Sequence, residues 1–167
     1  PLAARAARGR PIINLLPLQE NEQIQAILPV REYHEDRFVF MATSDGTVKK
    51  TPLTAFSNQR SNGIIALDLR DGNSLVDVAV TSGDQNLMLF SSSGKSIRFH
   101  EQDVRPMGRT ACGVRGIKLQ DGERLIGLAA IEDQEHQRLL IATENGFGKR
   151  TGLHEFSSQK RGGQGII

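Results

Sequence analysis

Apolar positions in this chain fall in short runs divided by glycine-bearing turns, and the runs recur. The apolar stretch Leu87-Met88-Leu89-Phe90 predicts a buried strand over 86–91, Ser93-Gly94 a turn, and 95–99 a returning strand. Upstream of it, alternation over 64–69, the pair Asp71-Gly72 and the branched residues of 74–80 predict two further strands joined by a tight turn. The same order returns as 116–119, Asp121-Gly122, 124–130, 138–142, Asn145-Gly146 and 148–151. It is also present earlier, as 12–16, 23–28 and 37–42, with the longer connection 17–22 in place of Asp-Gly.

The last hairpin of each unit is close to a copy of the others. Ala42-Thr43-Ser44-Asp45-Gly46-Thr47-Val48-Lys49-Lys50-Thr51, Phe90-Ser91-Ser92-Ser93-Gly94-Lys95-Ser96-Ile97-Arg98-Phe99 and Ala142-Thr143-Glu144-Asn145-Gly146-Phe147-Gly148-Lys149-Arg150-Thr151 share it, and their turn glycines stand 48 and then 52 residues apart. A period near fifty, with four short strands in each unit, predicts an all-β repeat protein with propeller-like blades; a solenoid of four-stranded sheets is the alternative. The reading is one domain over 1–167, with units at 12–56, 64–107 and 116–156 and the start of a further blade at 165–167. Because the chain opens in a loop and closes inside a strand, we expect it to be a piece of a larger wheel whose cut sheet edges favour edge-to-edge self-association.

Charge changes this picture. The formal net charge is only +2, but 1–18, 44–65, 94–118 and 146–167 together hold 16 of 21 basic and 4 of 19 acidic residues. If the loops after the hairpins share one edge of the fold, that edge is a positive band suited to a polyanion. The candidate contacts are Arg5, Arg8, Arg10, Lys49, Lys50, Arg60, Lys95, Arg98, Arg105, Arg109, Arg115, Lys149, Arg150, Lys160 and Arg161. Adjacent cations on a strand face opposite sides, so one of Lys49-Lys50 and one of Lys149-Arg150 are expected to face a ligand. The loop Gln159-Lys160-Arg161-Gly162-Gly163-Gln164-Gly165 sets two cations beside a backbone that can approach a phosphate closely. A solvated loop between blades fits that spacing equally well.

Catalytic chemistry finds little support. Ser93-Gly94-Lys95-Ser96 mimics the end of a phosphate-binding P-loop, but position 89 is Leu where that motif needs Gly, and a strand follows where it needs a helix. The four histidines are dispersed, Cys112 is alone, and no metal or catalytic set is expected. Tyr33, among Glu32, His34, Glu35 and Asp36, reads as solvated, and the methionines as core or loop filler. No apolar run is long enough for a membrane span, and no secretory signal is visible.

The run Gly9-Arg10-Pro11-Ile12-Ile13-Asn14-Leu15-Leu16-Pro17-Leu18 resembles the C-terminal domain of the bacterial DNA gyrase A subunit. So do Phe40-Met41-Ala42-Thr43, Gly113-Val114-Arg115-Gly116-Ile117 and Asn145-Gly146-Phe147-Gly148-Lys149-Arg150-Thr151. The resemblance implies a six-bladed β-pinwheel in which neighbouring blades exchange strands, about three of the blades being present here. It implies sequence-independent binding and chiral wrapping of duplex DNA on a basic rim, which lets the whole enzyme introduce negative supercoils. ATP and Mg2+ would act on other domains, with the gyrase B subunit reached through the rest of the A subunit, in the bacterial cytoplasm at the nucleoid. The family's heptapeptide Gln-Arg-Arg-Gly-Gly-Lys-Gly has a degenerate counterpart at 159–165, where Lys160 and Gln164 depart from it. The principal copy is expected upstream of Pro1. The equivalent domain of the topoisomerase IV A subunit and a propeller-type protein-interaction module are the other readings.

Overall fold

The computed structural model describes residues 5–20, 22–133 and 135–167. Its strands are β1 (Phe38–Thr43), β2 (Thr47–Pro52), β3 (Leu75–Thr81), β4 (Asn86–Ser91), β5 (Ser96–His100), β6 (Val114–Arg115), β7 (Leu125–Ile131), β8 (Arg138–Ala142) and β9 (Gly148–Gly152). The other regular elements are short 3-10 turns, so the described chain is all-β. No helix among the described residues is long and apolar enough to cross a membrane.

The three repeated segments form antiparallel hairpins β1–β2, β4–β5 and β8–β9. Each closes in the same way: the N–H of Gly46, Gly94 and Gly146 donates to the carbonyl of Thr43, Ser91 and Thr143, at 2.9, 3.1 and 3.0 Å. The P-loop mimic is therefore a hairpin turn leading into β5.

Strands are exchanged between repeats, as a pinwheel requires. β3 follows the first hairpin in sequence and pairs with β1, Met41 opposite Val78, rather than with the hairpin that comes after it. β7 does the same to β4, with Leu89 opposite Leu128. The outer strand of the first two hairpins is covered by a segment from further along the chain: β6 on β2, and an isolated bridge from Ile166 to Ser96 on β5. The sheets are thus β3-β1-β2-β6, then β7-β4-β5 with its bridge, then β8-β9.

The exchange places the core between repeats. Phe40, Ala42 and Val48 from the first hairpin pack with Leu87, Leu89, Ile97 and Phe99 from the second, and with Ile117, Leu125 and Leu128 from the third unit. The rings of Phe40 and Phe99 lie 6.5 Å apart at 48°. Each fully buried side chain of this size is worth about 1.5–3 kcal/mol, so no unit holds its stabilisation alone.

Four predicted elements take another form. Residues 64–69 join no ladder; their carbonyls at Ile65 and Ala66 accept side-chain bonds from Arg109 and Lys49. Residues 12–16 hold the 3-10 turn Ile12–Asn14. Residues 23–28 stand where β3 and β7 stand in their repeats, but among the described residues they join no ladder. In 116–119 the pairing shifts to Val114–Arg115. Tyr33 also departs from expectation. It is half-buried against the Val39, Met41 and Leu53 cluster, and its hydroxyl accepts a 2.6 Å bond from Gln59 Nε2.

Candidate nucleic-acid interface

Two loops, 101–117 and 153–166, run along the outer strand of the preceding hairpin and do so identically. Met107 N–H donates to the Lys50 carbonyl at 2.8 Å, and 52 residues on, Gln159 N–H donates to the Arg98 carbonyl at 2.7 Å. Gly113 and Gly165 then take φ of +97° and +72°. A Cβ on Gly113 would sit 2.6 Å from the Val48 carbonyl oxygen, and one on Gly165 2.7 Å from that of Ser96. Only glycine fits both the left-handed backbone and this approach to a neighbouring strand. Arg109 and Arg161 occupy matching places, each donating Nη1 across to a backbone carbonyl, that of Ile65 at 2.7 Å and of Arg115 at 3.1 Å.

This arrangement corrects part of the expected basic rim. Lys49, Lys50 and Arg98 are buried, at 1%, 3% and 8% exposure. Both members of Lys49-Lys50 turn inward because each head finds acceptors between repeats. Lys49 Nζ donates to the Ala66 carbonyl at 2.9 Å and to the Arg109 carbonyl. Burial, the largest influence, holds its ammonium below the ordinary lysine range, against the pull of Cys112 and Asp68. Lys50 Nζ donates to the Glu101 carbonyl at 3.2 Å, lies 3.6 Å from its carboxylate, and covers the Phe38 ring at 4.8 Å. Glu101 also accepts from Thr81 Oγ1 at 2.7 Å and Gln85 N–H at 2.8 Å. Arg98 takes the place of Lys50 one repeat later. It bonds Asn86 Oδ1 at 3.2 Å and the carbonyls of Leu153 at 2.8 Å and Phe156 at 3.2 Å. These cations fasten one repeat to the next.

The heptapeptide-like loop is partly spent in the same way. Gly162 N–H, expected to be open to a phosphate, donates to the Gly116 carbonyl at 2.6 Å, and the Gly163 carbonyl accepts from Lys118 N–H at 2.8 Å. Gln159 and half-buried Arg161 hold the loop down, Arg161 Nε donating to the Asp103 carbonyl at 2.7 Å. Lys160 and Gln164 project outward; Lys160 pairs with Asp103 at 2.9 Å and stays 90% exposed.

The remaining candidates lie outside. Arg5, Arg8, Arg10, Arg60, Arg105, Arg115, Lys149 and Arg150 are exposed, and Arg109 is half-buried with one guanidinium nitrogen tied down. Lys95 is half-buried and pairs with Glu123 at 3.2 Å. Glu123 is drawn down to about 2, chiefly by the Gln120 N–H, with Ser93 and Lys95 assisting. The structure brings Arg60 and Arg109 to one groove. It also gathers Arg105, Arg115, Lys160 and Arg161 on adjoining loops through the bonds of Arg161. Exposed Lys118 belongs with the second group, and its place inside the basic segment 94–118 was the available signal. Cys112 is exposed, with its Sγ 3.4 Å from Asp68 Oδ2.

Comparison with known proteins agrees with this architecture. The family model described as "DNA gyrase C-terminal domain, beta-propeller" matches residues 1–31, 37–82, 85–132 and 137–167. The DNA gyrase A subunit of Klebsiella oxytoca is 56% identical over 167 residues, all of this chain and 19% of that protein. The chain therefore spans about a fifth of the length of the curated relatives it matches. A solved DNA gyrase A C-terminal domain superposes with TM-score 0.84 at 27% identity, covering 99% of this chain and 54% of the other. A solved C-terminal domain of DNA topoisomerase IV gives 0.88 at 28% identity, covering 95% and 49%. The chain belongs to the family of the β-propeller C-terminal domain of the DNA gyrase A subunit.

Proposed function

We propose that this chain binds duplex DNA without regard to sequence and bends it around the outward cations of its inter-repeat loops, as the C-terminal module of a gyrase A subunit. In that setting the path of the DNA fixes the sign of the crossing offered to the rest of the enzyme, which uses ATP and Mg2+ on other domains to supercoil negatively. The observation that carries this reading is the exposure of Arg60, Arg105, Lys118 and Lys160 on the loops that follow the three hairpins, together with that of Arg115 on β6 and Lys149 on β9. Such side chains contact phosphates, which position a duplex but carry no base information.

The test is binding to unrelated duplexes over a range of salt. Affinity should fall linearly on a log–log plot with a slope of about −0.9 per phosphate contacted, alike for every sequence. Binding indifferent to salt, or confined to one sequence, contradicts the proposal. The likeness to the topoisomerase IV domain supports a second assignment within the same chemistry. Supercoiling against decatenation by the whole enzyme separates the two.

A further inference from the structure

Four acids stand inside the basic segments: Asp45, Glu101, Asp103 and Glu155. Three of them have local partners. Asp45 closes its hairpin turn, accepting from Thr43 Oγ1 at 2.7 Å and from Thr47 N–H at 2.9 Å. Glu101 is buried against Lys50. Glu155 lies 3.6 Å from Nε2 of its neighbour His154. Asp103 instead faces an outward cation of the next loop. Its Oδ1 accepts from Lys160 Nζ at 2.9 Å, while its carbonyl accepts from Arg161 Nε at 2.7 Å. Its side chain is 20% exposed and that of Lys160 90%, so the acid is the fixed member of the pair and the cation the one able to swing away.

The fold does not need this pair. The preceding joint is built on the same backbone bond, Met107 to Lys50 there and Gln159 to Arg98 here. The step from Lys50 to Arg98 carries Ala55 to the place of Asp103, and the step from Met107 to Gln159 carries Gly108 to that of Lys160. Both charges are absent from the preceding joint, and it closes all the same. Gly108 is exposed with the whole third unit following it, so this place in the loop faces outward in the interior of the chain as well. A surface pair this exposed also contributes little to stability.

We infer that Asp103 is a built-in competitor for DNA: in the free protein its carboxylate occupies Lys160 where a phosphate oxygen would. Both anions accept charge-assisted bonds from the same ammonium at the same range. Asp103 cannot follow Lys160 to a phosphate, because its backbone is held by Arg161. Binding here therefore exchanges one ion pair for another instead of adding one. It also leaves a negative charge inside the screening length of the duplex backbone. The restraint is local to this loop: among the described residues no carboxylate lies within ion-pair distance of Arg60, Arg105, Arg115 or Lys118. Asp103 thus sets how readily the loop 159–165 lets a duplex go. The inference rests on the reading that this chain binds duplex DNA.

A double-mutant cycle between Asp103 and Lys160 tests it, read as affinity of the 167-residue chain for one duplex at low salt. Asp103→Asn keeps the side-chain shape and the carbonyl that holds Arg161, and Asp103→Ala copies the preceding joint, so both should melt with the parent. Each should tighten binding about threefold or more in the parent. With Lys160→Gln in place the gain should fall below about 1.5-fold. Salt should shrink the gain in the parent, since it screens the carboxylate from the phosphates. An equal gain in both backgrounds reports overall charge and overturns the inference. A parent that binds while neither Asp103 variant binds more tightly overturns this inference alone; a parent that binds no duplex overturns the DNA-binding reading and this one with it.

Discussion

Lys50 and Glu101 are buried together, Nζ 3.6 Å from the carboxylate, with side-chain exposures of 4% and 0%. They join the first hairpin to the 3-10 turn of the next repeat. Their charges compensate each other where water cannot, so removing one leaves the other uncompensated. Glu101→Ala should cost about 3–5 kcal/mol in chemical denaturation. The double replacement Lys50→Met with Glu101→Leu should cost much less, because no lone charge remains.

Gly113 and Gly165 mark the two places where a loop backbone presses on a neighbouring strand. Alanine at either adds left-handed strain to a backbone clash, and we expect a loss of about 2–3 kcal/mol. Gly72 supplies the control: its φ is +76° but nothing lies within 4 Å, so Gly72→Ala should cost about 1 kcal/mol. Equal losses at all three in thermal unfolding would remove the loop contact from the account.

Adjacent cations in the last loop should part company. Lys160 is exposed beside Asp103, and a surface pair of this kind is worth about 0–1 kcal/mol. Lys160→Ala should leave the melting temperature in place while lowering the salt slope of DNA binding by about 1. Arg161 bonds the carbonyls of Asp103 and Arg115, so Arg161→Ala should lower the melting temperature as well as the affinity.

Acid should act through Glu123. Its folded pKa is pulled down to about 2 from an ordinary 4.5, so its ionised form favours the folded state. That contribution is complete above 4.5 and disappears as pH falls toward 2. Glu123→Gln should be less stable than the parent at neutral pH, and the two unfolding curves should converge over that acidic interval.

The sequence made the hairpins legible because their signal is local: an apolar run, a turn ending in glycine and a returning strand. The partners of β3 and β7 were not legible locally, since Val78 and Leu128 meet strands more than thirty residues upstream. Strand exchange entered only through the family resemblance. The repeated cation was visible, yet its direction was not. Lys50 and Arg98 look in sequence like exposed cations, and only the structure shows each meeting a carbonyl of the repeat that follows it. One clue was available: Glu101 is an acid within a basic segment and stands 51 residues after Lys50, one repeat on.

The central claim is that DNA follows a curved path of one hand on this chain. The direct measurement is linking number. Nicked circular plasmid is incubated with the chain, sealed with ligase, stripped of protein and resolved on a gel. The account predicts a shift of one consistent sign that grows with protein and shrinks when Arg60, Arg105, Arg115 and Lys160 are neutralised together. An unshifted distribution under saturating binding would contradict it.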